Sequence, residues 1–152
     1  MAEITLQDIA HSYNPEAADK TYALNRFDMK WVDGGRYAIL GPSGCGKTTM
    51  LNIMSGIVRP SEGRLLFDGV DVTDHTTAER NIAQVFQFPV IYGTMTVQDN
   101  LAFPLVCRGY DKAFIKAKVA EVSEALNLEG LLTQSANKLT ADQKQLISLG
   151  RG

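Results

Sequence analysis

The sequence has no long apolar run and little cysteine, and both absences limit what the chain can be. Its apolar stretches are only a few residues long, too short for a membrane-spanning helix. The opening segment, MAEITLQDIAHSY, carries acidic residues and no apolar core, so it does not resemble a secretion signal. The two cysteines, Cys45 and Cys107, are too few for a disulfide framework and fit a reducing cytosol.

The chain also lacks an excess of positive charge. It has 15 basic and 17 acidic residues, a net charge of -2, so we expect no nucleic-acid partner. Its 152 residues suffice for one domain with a real core, and 45% apolar and 21% charged residues are typical of a soluble globular protein. Neither His11 nor His75 belongs to a group of residues with the spacing of metal ligands, and we expect both in solvated loops.

Hydrophobic patterning predicts strands alternating with helices, followed by a mostly helical segment from about Thr94. In the second part, Ile115, Val119, Val122 and Leu126 are spaced to share one helix face. This order predicts an α/β core with a helical insertion. The predicted strands lie within 4–9, 22–32, 37–40, 65–67 and 82–86, and the first predicted helix spans 47–57.

The strongest motif is a glycine-rich loop between a predicted strand and a predicted helix. It matches G-x-x-x-x-G-K-[ST] at every fixed position. Glycines let several backbone N–H groups approach phosphate oxygens, and the helix N-terminus adds its positive dipole end. A glycine-rich turn without a ligand is the alternative, which the strand–loop–helix context disfavours. The motif reads Gly41-Pro42-Ser43-Gly44-Cys45-Gly46-Lys47-Thr48.

Three side chains at the end of this loop have distinct predicted roles. Lys47 brings a mobile positive charge to the outer phosphates. The hydroxyl of Thr48 is the expected Mg²⁺ ligand, and Thr49 offers a further hydroxyl to an inner phosphate. Cys45 occupies a free position of the motif, where a small residue is tolerated.

The stretch GPSGCGKTTMLNIMSGIVRPSEGRLLFDGVDVT closely resembles ATP-binding-cassette (ABC) transporter ATPases. The resemblance continues through AERNIAQVFQ and TMTVQDNLAFPL and covers essentially the whole chain. The run GVDVTDHTTAERNIAQVFQ looks most like the sugar- and polyol-importer branch. The family resemblance implies an α/β fold: an incomplete P-loop NTPase (RecA-like) ABC ATPase core with N-terminal antiparallel β-strands and a helical subdomain.

By the same resemblance, residues 1–93 are the N-terminal part of the core, with the phosphate loop and the Q-loop. Residues 94–139 are the helical subdomain that docks on the coupling helices of a transporter, and residues 140–152 begin the signature helix. The cofactors implied are ATP and Mg²⁺.

The resemblance also assigns two residues outside the phosphate loop. Tyr13 matches the aromatic residue that stacks on adenine, although an ordinary half-buried aromatic at a strand end is an equal alternative. Gln87 matches the glutamine that reaches Mg²⁺ and the attacking water, whereas alone it would be a surface glutamine. The predicted catalytic residues are thus Lys47 and Gln87, and the predicted metal ligands are Thr48 and Gln87.

The family signature LSGGQ, which binds the triphosphate of an opposing subunit, is altered here. The matching residues are Leu139-Thr140-Ala141-Asp142-Gln143. Thr140 and Gln143 form a T-x-x-Q capping box at a predicted helix start. Asp142 replaces a glycine, and its charge would repel a partner's phosphate. Two hypotheses stay open: weaker ATP binding within an asymmetric pair, and a tolerated variant of glycerol or related polyol importers.

In the family, the signature helix leads to the Walker B strand, which ends in Asp-Glu, and to a later histidine. None of these follows in the sequence given, which ends at Gly152. Without that general base, a contribution of roughly 10²–10⁴-fold is absent, so we expect this chain alone to be inactive. We also expect the apolar run 37–40 to lack sheet neighbours and the isolated chain to be aggregation-prone or partly unfolded.

The resemblance predicts the ATP-binding subunit of an importer, peripheral on the cytoplasmic face of the plasma (inner) membrane. Its implied partners are a second ABC ATPase subunit, in a homo- or heterodimer, the transmembrane permease subunits and, indirectly, a solute-binding protein. The alternatives are a nucleotide-binding subunit that does not hydrolyse ATP and a soluble ABC protein of DNA repair or translation. The charge balance gives the last no support.

Overall fold

A computed structural model describes residues 2–16 and 20–152 and divides the chain into two compact units, Met1–Ile82 and Ala83–Gly152. The described residues of the first unit form four strands and one helix. The strands are β1 (Ile4–His11), β2 (Leu24–Trp31), β3 (Glu62–Phe67) and β4 (Val70–Asp71), and the helix α1 spans Lys47–Ser55. The structural boundary thus falls at residue 82, while the functional division at residues 93 and 139 stays a prediction.

The strands of the first unit form one antiparallel sheet in the order β2-β1-β3-β4. A bulge interrupts β1 at Asp8, whose φ is 50°. Because the bulge adds one residue, Leu6 and Ile9 both reach the core although they are three positions apart. Gly63 of β3 lies against this bulge, where a Cβ would stand 2.4 Å from the Asp8 carbonyl oxygen. The sequence pattern therefore locates β1 but not its irregular register.

Helix α1 lies between two left-handed glycines, Gly46 (φ 92°) and Gly56 (φ 81°). Its buried face, with Met50, Ile53 and Met54, packs in one cluster with the buried strand residues. The predicted helix 47–57 is two residues too long, because Gly56 turns the backbone and ends the helix.

Two predicted strands are wrong. Residues 37–40 and 82–86 belong to no sheet in the described part of the chain, because no neighbouring strand there pairs with them. Leu40 is 90% exposed. Tyr37 instead stacks on Trp31 with ring centroids 5.1 Å apart, and its hydroxyl accepts the Val32 N–H at 2.9 Å.

The second unit contains three helices, α2 (Val97–Cys107), α3 (Lys112–Ala125) and α4 (Ala141–Gly150), with single 3₁₀ turns at Glu129–Leu131 and Ala136–Lys138. The predicted face of α3 is confirmed, since Val119 is buried and its three partners pack against the same core. Across the described residues, the helices all fall short of the length and apolarity that crossing a membrane requires.

The C-terminal end of α1 is held by a buried arginine, Arg80, which is 6% exposed. Its guanidinium donates to the carbonyl oxygens of Ile53 at 2.5 Å and Met54 at 3.1 Å. It also donates to the backbone carbonyl oxygens of Thr73 at 2.9 Å and His75 at 3.0 Å. A cation at the C-terminus of a helix opposes the negative end of the helix dipole. Arg80 therefore fixes the helix that carries the phosphate loop.

We expect Arg80→Met to lower the free energy of unfolding of the first unit by about 2 kcal/mol, since it leaves buried carbonyl groups unpaired. The matched control is Arg59→Met, because the Arg59–Asp74 pair is exposed on both sides and such pairs contribute little. Urea unfolding followed by circular dichroism measures both. Equal midpoints for the two variants would contradict this role.

Candidate functional site

The phosphate loop reaches α1 through two left-handed glycines. Gly44 has φ 82° and Gly46 has φ 92°, a region that costs other residues about 1–2 kcal/mol. The backbone of Gly46 lies against the segment that begins β2: a Cβ there would be 2.7 Å from the Ala23 carbonyl oxygen. This turn leaves the first N–H groups of α1 at the loop, the arrangement in which helices bind anions.

Lys47 lies across the loop that it ends. Its ammonium donates to the carbonyl oxygens of Gly41 at 2.8 Å and Pro42 at 2.7 Å, and its Nζ is 3.7 Å from the Cys45 Sγ. The positive charge thus stands beside the backbone amides of the loop, where both would meet the same phosphate group.

Tyr13 and the phosphate loop line one open cleft of about 450 Å³, although Tyr13 and Thr49 are 36 positions apart in the sequence. The structure therefore brings the predicted base-stacking residue to the predicted phosphate site. The other residues that line the cleft are Ala23, Ser43, Gly44, Gly46, Lys47, Thr48 and Thr49. The sequence alone does not predict that Ala23 lines the cleft, because its position depends on strand pairing. Its N–H donates to the His11 carbonyl oxygen at 2.9 Å.

Two contacts hold the Tyr13 ring. Its hydroxyl is 3.1 Å from the Thr49 Oγ1, and its ring is perpendicular to that of His11 with centroids 4.6 Å apart. The expectation of a solvated His11 is wrong: the residue ends β1 and is buried, because the bulge directs it inward. Desolvation lowers the pKa of His11, while a hydrogen bond with the Arg59 backbone opposes that shift. His75 is exposed, as expected.

A polar cluster anchors the segment that precedes Ala23. Glu62 accepts hydrogen bonds from the Lys20 ammonium at 2.8 Å and the Tyr22 hydroxyl at 2.6 Å, and it pairs with Arg26. The hydrogen bonds from Lys20 and Tyr22 lower the pKa of Glu62 to about 2. The carboxylate is therefore charged at neutral pH and ties this side of the cleft to β3.

Gln87 lies in the second unit, exposed and outside any helix or strand. Gln145 of α4 and Arg151, which directly follows α4, bind the backbone on both sides of it. Gln145 donates to the Phe86 carbonyl oxygen at 3.0 Å, and Arg151 donates to that of Val90 at 2.6 Å. Sequence reasoning missed both residues, since their role depends on the packing of α4. The contact of Gln87 with Mg²⁺ stays a prediction.

The predicted capping box of the signature segment is present. The Gln143 N–H donates to the Thr140 Oγ1 at 3.3 Å, and the Thr140 N–H donates to the Gln143 Oε1 at 3.0 Å. Thr140, Ala141 and Asp142 are exposed, while Leu139 is buried in the core of the second unit. The exposed residues are therefore accessible at the start of α4, and their binding of a partner's phosphate stays a prediction.

The chain is similar to ATP-binding proteins of known transporters. A sequence profile described as "ABC transporter" matches residues 24–152. The chain is 36% identical over 151 residues to the sn-glycerol-3-phosphate import ATP-binding protein UgpC of Yersinia enterocolitica (serotype O:8 / biotype 1B), covering 99% of this chain and 41% of that protein. It is 38% identical to the trehalose import ATP-binding protein SugC of Mycobacterium tuberculosis (strain H37Rv), with coverages of 99% and 37%.

A solved structure of an ABC transporter cassette is similar to the chain as well. The dimeric structure of MJ0796, a bacterial ABC transporter cassette, matches with a TM-score of 0.84 at 26% sequence identity, over 97% of this chain and 68% of that one. The chain spans about two fifths of the length of the two curated relatives it matches.

The two left-handed glycines of the loop give a matched pair of substitutions. Gly44→Ala introduces backbone strain in open space, whereas Gly46→Ala adds an overlap with the Ala23 carbonyl oxygen. We expect both to destabilise, and Gly46→Ala to cost at least about 1 kcal/mol more, since rigid backbone opposes the added methyl group. Free energies of unfolding in urea compare the two variants. Equal losses would show that Gly46 is required for its φ alone.

Proposed function

Because the chain belongs to the ABC transporter family and has part of the cassette fold, we propose that it is the N-terminal part of the ATP-binding subunit of an importer. The observation that carries this proposal is the cleft shared by Tyr13 and the phosphate loop. Adenine stacks on Tyr13, and the phosphates bind the loop amides and Lys47.

The residues present fit a bound Mg²⁺. Thr48 is exposed at the N-terminus of α1, beside the phosphate-binding amides, and Mg²⁺ prefers oxygen ligands while keeping several waters. Thr48 would hold the ion together with phosphate oxygens, and Gln87, by the family resemblance, is proposed as a further ligand. The ion supplies charge neutralisation of the phosphate groups. Lys47 orients the outer phosphates, and Gln87 orients the attacking water.

The signature residues at the start of α4 are proposed to contact the ATP of a second ABC ATPase subunit. Exposure of Thr140 and Asp142 supports this, and so does the dimeric state of the matched cassette MJ0796. Asp142 lies in the first turn of α4, where its charge suits the helix but repels an approaching phosphate. This observation also favours the second candidate function, a subunit that binds nucleotide with little or no hydrolysis.

The second unit is proposed to dock on transmembrane permease subunits, which makes the protein peripheral on the cytoplasmic face of the inner membrane. Exposed apolar side chains next to Gln87 support this role. Phe86, Phe88 and Val90 are all exposed, and Phe88 is 76% exposed. Several exposed apolar side chains close together in the chain are typical of a protein interface.

The transported solute is proposed to be a carbohydrate or polyol, delivered to the permease by a solute-binding protein. The run 69–87 supports this class by its resemblance to sugar and polyol importers. UgpC and SugC, named for import of sn-glycerol-3-phosphate and trehalose, support it as well.

We expect the chain to bind MgATP and Lys47→Ala to weaken that binding by at least about tenfold, since a charge-assisted contact to phosphate is lost. Isothermal titration calorimetry measures both affinities. Lys118→Ala is the control, because Lys118 is a lysine of α3 that pairs with Glu121 on the surface of the second unit. No ATP binding by the unmodified chain, or equal affinities of the two alanine variants, would overturn the proposal.

A further inference from the structure

We propose that Thr49 is a positioning residue for Tyr13, so that base stacking depends on the phosphate loop. The inference rests on the proposed function and deepens it: the affinity for the base is set in part by a hydroxyl pair, Tyr13–Thr49, and not by the aromatic ring alone. Thr49 is already an expected contact of an inner phosphate. The proposal gives its hydroxyl a second partner, within the protein itself.

The backbone that precedes Tyr13 is buried and fixed, whereas Tyr13 itself is largely exposed. Ser12 is buried, and the Ser61 hydroxyl accepts its N–H at 3.1 Å and donates to its carbonyl oxygen at 3.2 Å. The Tyr13 side chain is nevertheless 59% exposed. An exposed aromatic side chain loses rotamer entropy when a ligand fixes it. Contacts that fix the ring beforehand therefore raise the affinity of the stacked base.

The contacts that restrain the ring come from His11 and Thr49. The perpendicular His11 ring limits rotation of the phenol ring, and the hydroxyl of Thr49, 3.1 Å away, fixes its outer end. Thr49 is itself rigid, because it lies in the first turn of α1 and is 8% exposed. The Tyr13 ring is thereby attached to the helix that presents the phosphate-binding amides.

The hydroxyl of Thr49 can serve two partners at once. A hydroxyl has one hydrogen to donate and two lone pairs that accept. When Thr49 donates to an inner phosphate, it still accepts the Tyr13 hydroxyl hydrogen, and hydrogen bonds in such a chain strengthen one another. A nucleotide on the loop therefore tightens the hold on Tyr13. The two halves of the site should be energetically coupled.

A double-mutant cycle tests this coupling. Tyr13→Phe keeps the ring and removes the hydroxyl, Thr49→Val removes the hydroxyl at nearly constant volume, and Thr49→Ser keeps it. We expect Tyr13→Phe to weaken MgATP binding about three- to tenfold in the wild-type background and to have no further effect in Thr49→Val, since paired residues are non-additive. In the Thr49→Ser background, Tyr13→Phe should again weaken MgATP binding, because the serine hydroxyl replaces that of Thr49.

Inorganic tripolyphosphate, which has no base, is the second ligand in the calorimetric titrations. Its affinity should fall in Thr49→Val. It should fall less in Tyr13→Phe than the affinity for MgATP does, because the Tyr13 hydroxyl then acts only through its hydrogen bond to Thr49. If wild-type and Tyr13→Phe proteins bind MgATP equally, or if the two losses simply add, the inference is wrong while the proposed function stands. If the wild-type chain binds tripolyphosphate but gains nothing from the base, the inference fails together with the assignment of Tyr13. If it binds neither ligand, the proposed function itself fails.

Discussion

The turn at Gly46 is the constraint on which the rest of the site depends. Phosphate binding requires several backbone N–H groups at one point, and the chain achieves this by entering α1 through a left-handed glycine that also touches the backbone before β2. That contact joins the phosphate loop to the sheet. Because β1 pairs with β2, the same contact brings the end of β1, and with it Tyr13, to the loop.

The remaining features of the first unit keep this turn in place. The apolar face of α1 packs on the sheet, Arg80 holds its C-terminal carbonyl groups, and Glu62 anchors the segment leading to Ala23. Each is a stability feature in itself, yet each fixes one side of the cleft. In the second unit, α4 starts within the signature residues, and its Gln145 and the following Arg151 bind the backbone around Gln87.

Much of this was predictable from the sequence. The fold class, the helix after the loop and the face of α3 are confirmed, because hydrophobic periodicity and the positions of glycines are local signals. The antiparallel N-terminal strands, which the family resemblance implied, are confirmed as well. The family resemblance located Tyr13. The roles of Arg80, Ala23 and His11 depended on partners distant in sequence and on a bulge at Asp8, which no local pattern reveals. Residues 37–40 have a strand-like composition, but composition cannot supply a neighbouring strand.

The central claim is that one cleft binds both ends of a nucleotide. The most direct measurement is a crystal structure of the chain with MgATP or a non-hydrolysable analogue. The account predicts phosphate oxygens within hydrogen-bonding distance of the backbone N–H groups of 44–49 and of the Lys47 ammonium, with the adenine ring parallel to that of Tyr13. A nucleotide bound with its phosphates away from the loop, or with its base turned from Tyr13 toward solvent, would contradict the account.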